Sequence, residues 1–107
     1  MDIELKNKWI GALRGGKYEQ TNGTLRDSTG FCCLGVLCDV IDSSGWVEDN
    51  YFKFPEFNKT QGGYFDTDIC ESIGLCPDVQ HEAMRMNDAG KNFIQIATYL
   101  ESEIYVG

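Results

Sequence analysis

An α+β fold is what this chain predicts: a single domain, residues 1–107, in which a small antiparallel sheet is packed by four or five helices. Three observations predict it. Apolar residues recur at helical spacing near both ends, with Leu5, Trp9, Ala12 and Leu13 at the start and Phe93, Ile96, Ala97, Leu100 and Ile104 at the close. Between them lies the run F-C-C-L-G-V-L-C-D-V-I, apolar on every helical face except for Asp39. Short aromatic stretches bounded by Gly, Pro and an Asn-Gly pair supply the strands.

The first helix is expected over Ile3 to Arg14, capped by Asp2 and stopped by Gly15-Gly16, since glycine enters the left-handed cap conformation without strain. A β-hairpin over about 18–26 follows, turning at Asn22-Gly23, where both turn positions of a tight hairpin need positive φ. Asp27 to Gly30 reads as a loop. The apolar run over about 31–41 is too long for an ordinary strand and is expected as a buried central helix, with Gly35 admitting a close neighbour and a buried strand as the competing reading.

Gly45 to Glu48 and Tyr51 to Phe54 suit one or two strands, ended by Pro55, and the five aromatics from Trp46 to Phe57 are expected to cover the central helix. Gln61-Gly62-Gly63 is expected as a turn or mobile loop. Asp66 or Thr67 caps a short helix through Ile73, ended by Gly74. Pro77 starts a further helix through about Met86, with Val79, Ala83 and Met86 as its apolar stripe and His81, Arg85 and Asp88 on the other face. Asn92 with Gln95 forms a capping-box pair that opens the last helix.

Hydrophobic residues make up 42% of the chain, enough to build one core and to argue against disorder. No apolar run approaches the roughly 18 residues that span a bilayer, and the opening M-D-I-E-L-K has no secretory core, so a soluble intracellular domain is expected. The net charge of −8 argues against duplex nucleic acid as a partner. The charge is uneven, however. Residues 1–26 carry five basic groups (Lys6, Lys8, Arg14, Lys17, Arg26) against three acidic ones, so an anionic ligand is best placed there.

Five cysteines, two of them vicinal, with no secretory signal, argue against a disulfide framework. With one histidine and no C-x-x-C spacing, no metal and no cofactor is expected.

The stretch from Arg14 to Arg26 carries the leading candidate site. Arg14 and Arg26 can converge on a phosphate, Arg26 bidentately. Tyr18 can stack on a base, and Gln20 can read its donors and acceptors from the same hairpin face. Trp9, Lys17 and Phe31 complete that expected ligand-binding set, with Asn87 and Asp88 from the Met86 to Gly90 corner. The same stretch also suits a plain solvated hairpin. A second candidate is catalytic: Cys32 or Cys33 at the start of the central helix, its thiol acidified by the helix N-terminus, with His81 as base and Asn87 or Asp88 as orienter. The spacing that supports it is unspecific. Asp39 and Asp42 read as helix-end solvation.

Three blocks, W-I-G-A-L-R-G-G-K-Y-E-Q-T-N-G-T-L-R-D (9–27), G-F-C-C-L-G-V-L-C-D-V (30–40) and M-N-D-A-G-K-N-F-I-Q-I-A-T-Y-L-E (86–101), resemble a widespread family of small tailed-bacteriophage proteins. The segment 43–79 carries nothing that aligns. The resemblance implies phage origin and action in the cytoplasm of the infected bacterium. It supplies no catalytic motif.

Small accessory phage proteins are commonly counter-defence factors, which sets the functional expectation by analogy of class. The chain is expected to bind and sequester a nucleotide-derived host immune signal, a cyclic ADP-ribose derivative or a cyclic dinucleotide, as a homo-oligomer. Oligomers are expected because so short a chain leaves little room for a deep pocket. The alternatives are a cysteine/histidine hydrolase of such a signal and an acidic protein inhibitor of a host defence enzyme. No membrane partner is expected.

Overall fold

The structure, a computed structural model, describes residues 1–56 and 59–106, without the Lys59 side chain. The order of elements is α1 (Ile3–Arg14), β1 (Arg26–Asp27), β2 (Gly30–Phe31), α2 (Cys33–Ile41), β3 (Trp46–Val47), β4 (Tyr51–Phe54), β5 (Lys59–Gln61), α3 (Thr67–Ile73), α4 (Pro77–Asp88) and α5 (Phe93–Glu103). Among the described residues, five helices and two small antiparallel sheets, β1-β2 and β3-β4-β5, make this the α+β fold the sequence predicts.

Helix α1 begins where an acceptor meets its free amides: Asp2 Oδ2 accepts from Glu4 N at 3.0 Å and Leu5 N at 3.2 Å. It packs on α2 and α5, and α4 closes the other side against the same two helices. The core therefore centres on α2, with Trp9 and Leu13 from α1, Leu34 and Leu37 from α2, and Ile96 and Leu100 from α5 all sealed from solvent. Gly35 lets this happen. A Cβ at that position would overlap the carbonyl of Leu25, which accepts a hydrogen bond from Cys32 N.

The antiparallel hairpin is not at 18–26. Strands β1 and β2 pair Arg26 with Phe31 and Asp27 with Gly30, so the turn falls in D-S-T-G. Asp27 decides this: its Oδ1 accepts from Thr29 N at 2.8 Å, Gly30 N at 3.1 Å and Thr29 Oγ1 at 2.6 Å, closing the turn with its own carboxylate. Gly23 does adopt positive φ, at 79°, but the chain beyond it dives inward to bury Leu25 rather than pairing back. Residues 19–21 instead run parallel to Phe31, whose N–H donates to Glu19 O and whose carbonyl accepts from Thr21 N.

Helix α2 starts at Cys33, two residues later than the expected 31, because Phe31 belongs to β2 and Cys32 is the cap. The β3-β4-β5 meander includes a strand, β5, that the polar K-T-Q run did not announce. Of the aromatics expected over α2, Phe52 and Phe54 are buried, Trp46 is half-buried, Tyr51 points outward, and Phe57 lies outside the described residues.

Helix α4 turns a different face to the core from the one expected. Gln80, Ala83, Met84 and Asn87 are buried, while Val79 and Met86 are only partly so. The two polar side chains go inside because each satisfies a neighbouring backbone. Gln80 accepts from Phe65 N at 2.6 Å and donates to Phe65 O at 3.2 Å, fixing the approach to α3. The Asn92–Gln95 capping box forms as expected at α5.

Candidate functional site

Two neighbouring groups of the expected residues come together around the segment 18–31. The first is a row of rings: Tyr18 meets Phe31 edge-on at 4.9 Å between centroids, and Phe31 meets Trp46 at 6.0 Å. The row continues inward through Phe52, Phe54 and Phe65, which are buried, so its outer half stands on a rigid aromatic base. Tyr18, Phe31 and Trp46 are each half-buried. The Arg26 guanidinium lies over the Trp46 ring, 4.3 Å from its centroid, and Lys17 Nζ stands 5.8 Å from the Tyr18 centroid.

Asp39 holds this row in place. Its Oδ2 accepts from Tyr18 OH at 2.6 Å and its Oδ1 from Trp46 Nε1 at 3.0 Å, so one carboxylate orients the two outer rings on either side of Phe31. Burial, then the hydrogen bond and negative charge of Asp39, push the Tyr18 hydroxyl up to about 12. Asp39 and Trp46 were not among the expected site residues, and Asp39 is no helix-end solvation: it sits within α2 as its one charged residue. That isolation was the available signal, because a carboxylate on a mostly buried helix must find donors.

The second group surrounds Asn87, which is 1% exposed. Its Oδ1 accepts from Cys33 N at 3.1 Å and Gln20 Nε2 at 3.2 Å, and its Nδ2 donates to Thr21 O at 2.8 Å. Gln20 Nε2 also donates to Lys91 O at 2.7 Å. Gln20, Thr21, Asn22, Asn87 and Gly90 line a shallow polar depression of about 360 Å³. Asn87 is thus a clasp between α4, α2 and the segment 20–21, with its amide already satisfied.

The remaining expected ligand-binding residues stand elsewhere. Trp9 is fully buried and donates from Nε1 to Cys33 O at 2.9 Å, so it is a core residue rather than a ligand contact. Arg14 and Arg26 do not form the expected joint phosphate clamp, because different elements hold them. Arg14 pairs with Glu101 on α5 at 2.7 Å. Arg26 donates from Nε to Asp49 O at 2.6 Å and from Nη2 to Glu48 O at 3.0 Å, which ties it to the turn between β3 and β4. Its Nη1 has no partner among the described residues. Asp88 is exposed at the end of α4.

The catalytic alternative fails on access and on charge. Cys32 and Cys33 are both sealed from solvent, and burial pushes the Cys32 thiol up to about 11 and the Cys33 thiol well above its usual range. Desolvation outweighs the helix N-terminus, whose Gly35 N–H donates to Cys32 Sγ and pulls that thiol down by less than burial pushes it up. His81 is exposed and stacks on Tyr64 at 4.7 Å between centroids. No hydrogen bond among the described residues joins it to either thiol. No group of three or more His, Cys, Asp or Glu suited to a metal ion occurs among them either.

Fold and site together define a small α+β domain with a half-exposed aromatic–arginine face. The chain belongs to the family described as a domain of unknown function, DUF8296, whose model matches residues 1–84. That span takes in Lys17, Tyr18, Arg26, Phe31, Asp39 and Trp46 and stops before Asn87. No curated protein and no solved structure matches the chain. Among the described residues no helix is long and apolar enough to cross a membrane.

Proposed function

We propose that this chain is a phage-encoded protein of the infected bacterial cytoplasm that sequesters, without cleaving, a nucleotide-derived immune signal of the host. A cyclic ADP-ribose derivative or a cyclic dinucleotide is the chemistry that fits. The phage origin rests on the resemblance of the three sequence blocks, and the counter-defence role on analogy with small accessory phage proteins as a class. The nucleotide reading rests on one structural observation: the Arg26 guanidinium lies over Trp46 in a half-exposed row with Phe31 and Tyr18. Aromatic faces take bases by stacking, worth roughly 1–3 kcal/mol per base. Lys17 and the unpartnered Nη1 of Arg26 supply donors to phosphate beside those rings.

The sealed thiols favour holding the ligand over hydrolysing it. A face of this kind covers only one side of a ligand, so two copies closing over it are part of the proposal.

Calorimetry of the full chain with a panel of cyclic dinucleotides and cyclic ADP-ribose derivatives tests the reading. Saturable binding at micromolar affinity or better is expected, with the ligand recovered intact after heat denaturation of the complex. Absence of binding across the panel would discard the nucleotide, and a chemically altered ligand would discard sequestration.

A further inference from the structure

A second concavity is lined by none of the residues Lys17, Tyr18, Arg26, Phe31 and Trp46. It is a groove of about 590 Å³ between the first turns of α1, the end of α2, the end of β4 and the end of α3. Its floor is apolar, made by Leu5, Val40, Ile41, Phe54 and Ile73, of which only Phe54 is fully covered by the protein itself. Its rim carries four carboxylates, Asp2, Glu4, Glu56 and Glu71. Among the described residues the cations at this groove are Lys8 and the Met1 ammonium, and the latter already donates to Tyr105 O at 2.8 Å.

Backbone charge adds to the side-chain charge. Helices α2 and α3 both end at this groove, at Ile41 and Ile73, and neither has a basic residue in its last turn. The negative end of α2 therefore has no cation of its own, whereas the Met1 ammonium lies beside Gly74 at the end of α3. The one positive helix end at the groove, the start of α1, is capped by the Asp2 carboxylate. The side-chain carboxylates of Glu4, Glu56 and Glu71 have no hydrogen-bond or ion-pair partner among the described residues.

We propose that this groove docks a basic amphipathic segment of a partner protein. Its apolar side chains would lie on the Leu5–Ile41–Ile73 floor, and its lysines or arginines would reach the Glu4, Glu56 and Glu71 rim and the end of α2. A nucleotide is repelled there for the same reasons, and the groove uses none of Lys17, Tyr18, Arg26, Phe31 and Trp46, so the proposal is independent of the nucleotide reading. An apolar floor within a charged rim is the usual layout of a helix-in-groove or strand-docking surface.

The test uses fluorescence anisotropy with three labelled peptides: an amphipathic lysine/leucine peptide, its glutamate/leucine counterpart, and a lysine/serine peptide of equal charge with no apolar face. The full-length chain should bind the first saturably and the other two at least about tenfold more weakly. Glu71→Lys should weaken the first by about tenfold or more, whereas Glu19→Lys, which changes the net charge equally at an exposed site off the groove, should leave it within about twofold. Equal binding of the glutamate or serine peptide, equal loss in both variants, or no saturable binding would overturn the proposal. Circular dichroism of both variants, whose substituted side chains are exposed, verifies that the comparison is made on folded protein.

Discussion

A single amide, that of Asn87, joins three segments far apart in sequence. It caps the first amide of α2 at Cys33, and it binds the Thr21 carbonyl and the Gln20 side chain on the loop that carries Tyr18. Truncation to alanine leaves the Cys33 N–H and the Thr21 carbonyl without partners inside the protein. Asn87→Ala should therefore destabilise the fold by about 2–4 kcal/mol, read as a lower urea midpoint at unchanged slope. Tyr18 offers a test in pH. Its hydroxyl, held up to about 12 by burial and by Asp39 against an ordinary value of 10.0, keeps its proton longer in the folded chain than in the unfolded one. The contribution of this group is then full below about pH 10 and is lost as pH rises toward 12. Tyr99 is raised as well, so the comparison must be between parent and Tyr18→Phe. The variant should show a shallower alkaline loss of urea stability; an equal loss would detach Tyr18 from Asp39.

Helix α2 is where packing at the scale of an element is tightest. Its Gly35 faces the Leu25 carbonyl so closely that a methyl group must displace either the helix or the strand entry beside it. Gly35→Ala should cost about 3 kcal/mol in displaced backbone, against roughly 1 kcal/mol gained in helix propensity, so thermal melting should show a net loss of stability. The elements that sequence alone announced are those specified by local chemistry. The Asp2 cap, the Gly74 stop and the Asn92–Gln95 box all rest on contacts within a few residues. What stayed hidden was specified at a distance. Gln80 and Asn87 look like solvent-facing polar residues until the backbones they serve, Phe65 and Thr21 with Cys33, are brought beside α4. The Asn22-Gly23 hairpin signal lost to the Asp27 carboxylate, which closes its own two-residue turn, and to the burial of Leu25. The candidate site was legible only in part. Tyr18 and Arg26 both lie against Phe31, whereas Glu101 holds Arg14 and the core holds Trp9.

At the scale of the whole molecule, the chain separates a sealed interior from two surfaces of different character. The interior keeps four cysteines, Cys32, Cys33, Cys38 and Cys70, out of reach, and only Cys76 is exposed. A thiol-specific chromogenic reagent should accordingly label one cysteine quickly in the native protein and all five after denaturation. Rapid native labelling of Cys32 or Cys33 would reopen the hydrolase reading. On the surface, the aromatic–arginine face and the acid-rimmed groove sort ligands by charge, the first toward anionic rings and the second toward basic chains. The net charge of −8 favours the second at long range, so stacking and local cations must carry the first. The two tryptophans separate that claim cleanly, because Trp9 is fully buried and Trp46 stands half-exposed under Arg26. Intrinsic fluorescence titrated with the cyclic nucleotides should show saturable quenching by at least one of them in the parent chain and none in Trp46→Phe. Quenching that survives in Trp46→Phe, or a parent chain unresponsive to every member of the panel, would contradict the account.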